Sequence, residues 1–141
     1  MIELPSHLHP MVVHFPIALF IVAFVFEVIG LLLKKEVFHK AAICMFVTAS
    51  LITPLVLRTG IWEAAKLGIR HPLLDQHRQY ADRLMWFSLM SLPLLWLIKT
   101  EFRKYFRIIL ILCLMVTAGL VSITADKGGA MVYEYGVGVE E

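Results

Sequence analysis

The sequence predicts an all-α integral membrane protein, a four-helix antiparallel transmembrane bundle built from two tandem helical hairpins. Three observations point there. Of the 141 residues 60% are hydrophobic, with a mean hydropathy of +0.80; four long runs are almost free of charge; and the second half of the chain repeats the first. A water-soluble domain keeps roughly 45–50% apolar residues and about a quarter charged, whereas only 17% are charged here.

Crossing about 30 Å of hydrocarbon takes roughly 20 helical residues. The first span covers 11–33 and is interrupted only by Glu27. It lacks the basic start and small-residue cleavage site of a removable signal peptide, so it reads as a permanent span. The second covers 41–57 and is uncharged. The third, 73–98, joins an uncharged run from Leu84 to Ile98 to a polar helical extension, Pro72 to Arg83, that projects from the bilayer. The fourth covers 108–125, and a tail, 126–141, completes a single four-helix domain, 1–141.

Four spans put both termini on one side. The short turns Lys34–Lys40 and Lys99–Arg107 hold seven Lys/Arg and only Glu36 and Glu101 as acids, while the longer segments of the other face hold six Lys/Arg and eight acids. Positive charge in short loops marks the cytoplasmic side, which predicts a bacterial inner-membrane protein with both termini periplasmic. A net charge of +2 without a basic run excludes nucleic acid as a partner. Two cysteines, Cys44 and Cys113, each inside an apolar run, exclude a disulfide framework, and the absence of a Cys-x-x-Cys-His motif excludes covalent haem.

A shift of 69 positions aligns Cys44–Thr53 with Cys113–Ser122 at five identities in ten and brings Arg58 onto Lys127. With a few residues of slippage, His9-Pro10 and His14 answer His71-Pro72 and His77, and alanine follows each second histidine by four residues, Ala18 and Ala81. Two hairpins that start on the same side are related by a two-fold axis along the membrane normal, so helices 1 and 3 are equivalents that face each other.

That symmetry singles out His14 and His77 as two imidazoles aimed at one axis. Ionisable groups within a membrane are costly enough to suggest function, and a haem iron held by two imidazoles from facing helices suits a four-helix bundle. Ala18 and Ala81 would leave room for a macrocycle, and Arg58, Lys127 and Arg78 could receive its propionates. His9 and His71 each precede a proline, a helix-start device. They are also a second-rank pair that could join His14 and His77 in a Cu or Zn site. His39 reads as a solvated loop residue, His7 as a polar lead-in, and Glu27 as a structural group snorkelling to Lys34 or Lys35. Pro16, Pro54 and Pro93 are expected to kink or delimit helices. Gly128-Gly129 is expected to stop helix 4, with the apolar tail to Val139 folded as a lid over His9, His14 and His77.

The motifs His-Pro-x-x-Val-His-Phe-Pro-Ile-Ala-Leu at 9–19 and Gly-Gly-x-x-Val-Tyr-x-x-Gly-Val-Gly-Val at 128–139 resemble a bacterial family of four-helix predicted membrane proteins of unknown function. The resemblance implies a redox setting, since some members are joined to cytochrome-c-like modules. It covers His9, His14, His77 and the Gly128-Gly129 pair, and where members often have histidine this chain has Tyr135. The expected function is membrane-embedded binding of b-type haem for electron transfer, as a carrier or subunit and not a free-standing enzyme, with other membrane or periplasmic redox proteins, or a second copy of itself, as candidate partners. A small structural or assembly subunit without cofactor is the competing class, since small-residue faces also serve helix packing alone. No catalytic triad, phosphate-cradling loop or paired carboxylates can be placed.

Overall fold

The structure is a computed structural model that describes residues 8–99 and 103–136. Four helices follow one another: α1 (Leu8–Leu33), α2 (Glu36–Lys66), α3 (Pro72–Ser91), which continues as a 3-10 segment (Leu92–Lys99), and α4 (Arg103–Tyr133). Helices α1, α2 and α4 are long and apolar enough to cross a membrane.

The α1–α2 turn is tight because Lys34 takes a positive φ of 53° and the Lys35 N–H donates to the Gly30 carbonyl at 3.2 Å. Gly30 lets the two helices approach closely, for a Cβ there would lie 3.2 Å from the His39 backbone nitrogen. Between α2 and α3, Gly68 adopts φ +62°, a left-handed conformation open to glycine at no steric cost. His71 then takes extended backbone, Pro72 opens α3, and Asp75 lies in its first turn, where a negative charge meets the positive end of the helix.

Helix α3 departs from the continuous span expected over 73–98. Its α-helical hydrogen bonding ends at Ser91, and the Leu92 N–H turns back to the carbonyl of Leu89. Pro93 lacks an N–H and crowds the preceding turn, and the hydrogen bonding tightens to the 3-10 pattern beside it. Pro16 and Pro54 lie inside helices that run through them. Gly128 and Gly129 do not stop α4, which carries both and continues to Tyr133; Gly136, at φ +61°, makes the turn instead.

Each helix packs against two neighbours in the cyclic order α1, α2, α3, α4, so α1 lies diagonally across from α3 and α2 from α4. Phe20, Ala23, Ala42, Phe46, Leu84, Phe106, Leu110, Leu114 and Val121 fill the centre, with Phe20 edge-on to Phe46 at 6.1 Å. The outside is apolar too: Leu32, Leu55, Trp86, Met90 and Ile108 are all exposed, as a helix surrounded by lipid requires. The buried hydroxyls of Ser50, Thr53, Ser88, Ser91, Thr117 and Thr124 donate to carbonyls three or four residues back in their own helices. Among the described residues no buried side-chain polar atom lacks a partner.

The repeat is written in burial, and its register is 68. In α1, buried Pro16, Phe20 and Ala23 are answered in α3 by Leu84, Ser88 and Ser91 (84 less 16, 88 less 20, 91 less 23). In α2, buried Ala42, Phe46, Ala49, Thr53, Val56 and Glu63 are answered in α4 by Leu110, Leu114, Thr117, Val121, Thr124 and Met131, each again 68 on. One offset serves both helix pairs without slippage. The offset of 69 read from residue identities is displaced by one position, which turns a helix face by about 100°. It matches exposed Cys44 to half-buried Cys113. Positions facing lipid accept the same apolar residues in any register, so identities there do not fix which face looks inward.

Candidate functional site

At the end of the bundle where α1 and α3 begin, the axis is occupied by two imidazoles, those of His9 and His77. Their ring centroids lie 6.4 Å apart and their planes are almost perpendicular, at 82°. Each ring is tied to the other helix of its own hairpin. His9 Nδ1 lies 3.1 Å from the Val56 carbonyl and 3.1 Å from Thr59 Oγ1, and His77 Nδ1 lies 2.8 Å from the Thr124 carbonyl. In both hairpins the bonded residues are 47 apart, so the pair obeys the register of 68.

These bonds fix the chemistry of the rings. A carbonyl can only accept, so Nδ1 carries the hydrogen in both imidazoles and Nε2 is left with the lone pair when the ring is neutral. The Thr59 hydroxyl donates to the Val56 carbonyl at 2.7 Å, which leaves its lone pairs to the same Nδ1–H. An imidazole whose second nitrogen is held by a backbone carbonyl is the arrangement found at metal-ligating histidines, where that bond sets tautomer and orientation.

Two glycines make the space. A Cβ on Gly60 would lie 3.0 Å from His9 Cε1, and one on Gly128 would lie 3.2 Å from His77 Cε1; these positions are also 68 apart. Glu63, buried one turn beyond Gly60, accepts the His9 backbone N–H at 3.0 Å. It thereby satisfies one of the four unpaired donors at the start of α1 and sets a negative charge at the positive end of that helix. Below the rings, Pro16 and Leu84 form a buried repeat-equivalent layer.

The structure pairs His77 with His9 and not with His14. His14 is exposed on the outer surface of α1, as is Ala18. It stands two positions from inward-facing Pro16, about 200° around the helix. Ala81 is half-buried, and Arg58 and Arg78 are exposed. Lys127 lies 3.6 Å from the Asp126 carboxylate, and in the register of 68 it is Asp126 that answers Arg58. His71 caps α3, its Nδ1 accepting the Leu73 N–H at 3.2 Å, and its ring lies against Tyr135 at 4.9 Å. Among the described residues no group of three or more His, Cys, Asp or Glu is arranged to hold a metal ion, which tells against a four-histidine Cu or Zn site. Of the expected lid, Tyr135 reaches His71, while Val137 and Val139 lie outside the described residues, as does His7.

A second polar cluster, read from the sequence as two unrelated surface groups, occupies the opposite end. Glu27 is 1% exposed and His39 8%. His39 Nδ1 donates to both carboxylate oxygens, at 2.8 and 3.0 Å, and the Phe106 ring stands edge-on to the imidazole at 6.0 Å. Glu27 therefore does not snorkel to Lys34 or Lys35, and His39 is not in a loop. Both belong to the inward stripes of their helices: Glu27 follows Phe20 and Ala23, and His39 precedes Ala42 and Phe46.

Fold and surface together define an all-α membrane protein whose polar chemistry is gathered at the two ends of an apolar bundle. A family described as "Predicted membrane protein" (DUF2231) matches residues 5–141, and the chain belongs to it. No match is found among curated proteins or among solved structures.

Proposed function

We propose that this protein holds b-type haem at the His9–His77 end of the bundle and serves electron transfer, as a carrier or as a subunit of a larger redox assembly in the bacterial inner membrane. The observation that carries the reading is the pair of imidazoles on the axis, each with Nδ1 spent on a carbonyl and Nε2 left to bind. A metal bound by two ring nitrogens at about 2 Å each sets the ring centroids roughly 6 Å apart, close to the 6.4 Å of His9 and His77. Bare zinc or copper needs three or four protein ligands; haem iron brings four nitrogens of its own, so two histidines suffice.

In this reading the bound haem supplies one-electron chemistry, and the chain does the rest. His9 and His77 would hold the iron through Nε2, with Val56 O, Thr59 and Thr124 O orienting the rings, Gly60 and Gly128 keeping side chains off them, and buried Pro16 and Leu84 lying below. Two protein ligands would suit electron transfer and not substrate binding at the metal. With the basic turns at the cytoplasmic side, the histidine pair and both termini face outward, toward a membrane-bound or periplasmic redox partner.

The test is the absorption spectrum of the full chain purified after expression with ample haem. Expected is a low-spin haem spectrum that is lost in both His9→Ala and His77→Ala and kept in His14→Ala. A protein that takes up no haem refutes the reading and favours a subunit without cofactor. Impermeant thiol labelling of cysteines placed in the 34–40 turn tests orientation: labelling there from outside would reverse it.

A further inference from the structure

Glu27 and His39 form a buried ionisable pair that the proposed haem site does not use, and the repeat supplies its internal control. In the register of 68, Leu95 answers Glu27 and Arg107 answers His39. Leu95 is half-buried and packs against the same core, and Arg107 points out to an ion pair with Glu36. The second hairpin thus places a leucine where the first has Glu27 and turns the counterpart of His39 outward. A buried ion pair contributes little to stability compared with apolar groups of similar size, and a carboxylate in the membrane interior is costly. Packing does not account for its presence in the first hairpin.

Geometry states what the pair can do. Of the two side chains the imidazole is the more exposed, 10% against 1% for that of Glu27. One Nδ1–H is shared with both carboxylate oxygens. The surroundings offer no competing charge at contact distance in the described structure: α4 presents the Phe106 ring to the imidazole, and Gly30 of α1 lies against the His39 backbone. Arg107 of α4 is bonded to Glu36 of α2, Lys34 and Lys35 are exposed at the α1–α2 turn, and Lys40 is exposed on α2 next to His39.

We propose that Glu27 and His39 form a proton-binding site, in which Glu27 is the proton acceptor and His39 the group through which the proton is exchanged with the side of the basic turns. The step is a relay through the ring: His39 Nε2 takes a proton from hydronium at the surface to give the imidazolium, and the Nδ1–H bond then breaks as a carboxyl O–H bond forms on Glu27, leaving His39 neutral with its hydrogen on Nε2. No oxidant or reductant is involved, and the site stands on its own observations, independent of haem.

Infrared difference spectroscopy of the full chain in lipid vesicles, acid minus alkaline, tests it. Expected is a protonated-carboxyl band that shifts in D2O, is lost in Glu27→Gln, and in His39→Leu exchanges with D2O on the order of tenfold more slowly. A band that persists in Glu27→Gln, no carboxyl band over the range in which the protein stays folded, or unchanged exchange in His39→Leu would each overturn the proposal. The double variant Glu27→Leu/His39→Leu, which gives the first hairpin the apolar filling of the second, is expected to retain native helicity; its collapse would make the pair a structural element and overturn the proposal as well.

Discussion

The two ends of the bundle obey different rules. At the His9–His77 end the two hairpins contribute equivalent parts: a histidine, a carbonyl 47 residues on and a glycine four residues beyond that. At the Glu27–His39 end one hairpin contributes an acid and a base, and the other a leucine and an outward arginine. A two-fold axis brings equivalent side chains together on the axis itself, which suits a ligand held from opposite sides. It gives no such help to a pair that lies within one hairpin. Symmetry therefore explains the first cluster, and departure from symmetry is the reason to ask what the second is for.

The largest effect that would sharpen this contrast is expected from Glu27→Leu alone. It makes the first hairpin apolar at one position only and leaves the buried His39 without its partner, a loss of about 3–5 kcal/mol for a broken buried pair. Replacing both partners by leucine should recover most of that. Unfolding in mixed detergent micelles checks both values, and a single variant as stable as the double would show that the pair is not coupled.

A smaller effect is expected where symmetry is closest. Gly60→Ala places a Cβ 3.0 Å from a His9 ring held by two acceptors, and crowding of that kind costs about 1–3 kcal/mol. Alanine regains about 1 kcal/mol of helix propensity over glycine, leaving a net loss of up to about 2 kcal/mol. Gly128→Ala meets His77 at 3.2 Å, with a single acceptor on that ring, and should come out near neutral. The same unfolding assay separates them, and equal losses would mean that the two rings are equally confined. Least of all is expected from His14→Ala, an exposed site away from the axis, with a change within about 0.5 kcal/mol.

The membrane class, the four helices and the tandem hairpins were legible because hydropathy is summed over many residues and tolerates local error. The site was legible in part. His77 and a symmetric partner across the axis follow from the repeat, but the partner depends on register, and one residue of error moves a side chain by about 100°. The run around Cys44 and Cys113 offered five identities, but they set exposed Cys44 and Thr48 against half-buried Cys113 and buried Thr117, and buried Ala49 against half-buried Ala118. A better signal was present: His9 to Gly60 and His77 to Gly128 share one spacing, and glycine beside histidine on a facing helix has a steric meaning. The pairing of Glu27 with His39 is not legible from the nearest charged neighbours of each along the chain, because the turn at Lys34 folds α2 back onto α1 and brings an inward stripe of one against that of the other. Gly128-Gly129 misled in another way, since the glycines serve the close approach of an imidazole within a helix that continues past them.

The central claim, two imidazoles meeting on the axis at right angles, is tested most directly by the electron paramagnetic resonance spectrum of the ferric protein. Haem held by His9 and His77 with their rings as they stand here, 82° apart, would give a strongly anisotropic low-spin signal, distinct from the rhombic signal of parallel rings. The prediction is that signal in the wild type and in His14→Ala, and its loss in His9→Ala. A wild-type spectrum with no low-spin haem, or one left unchanged by His9→Ala, would contradict it.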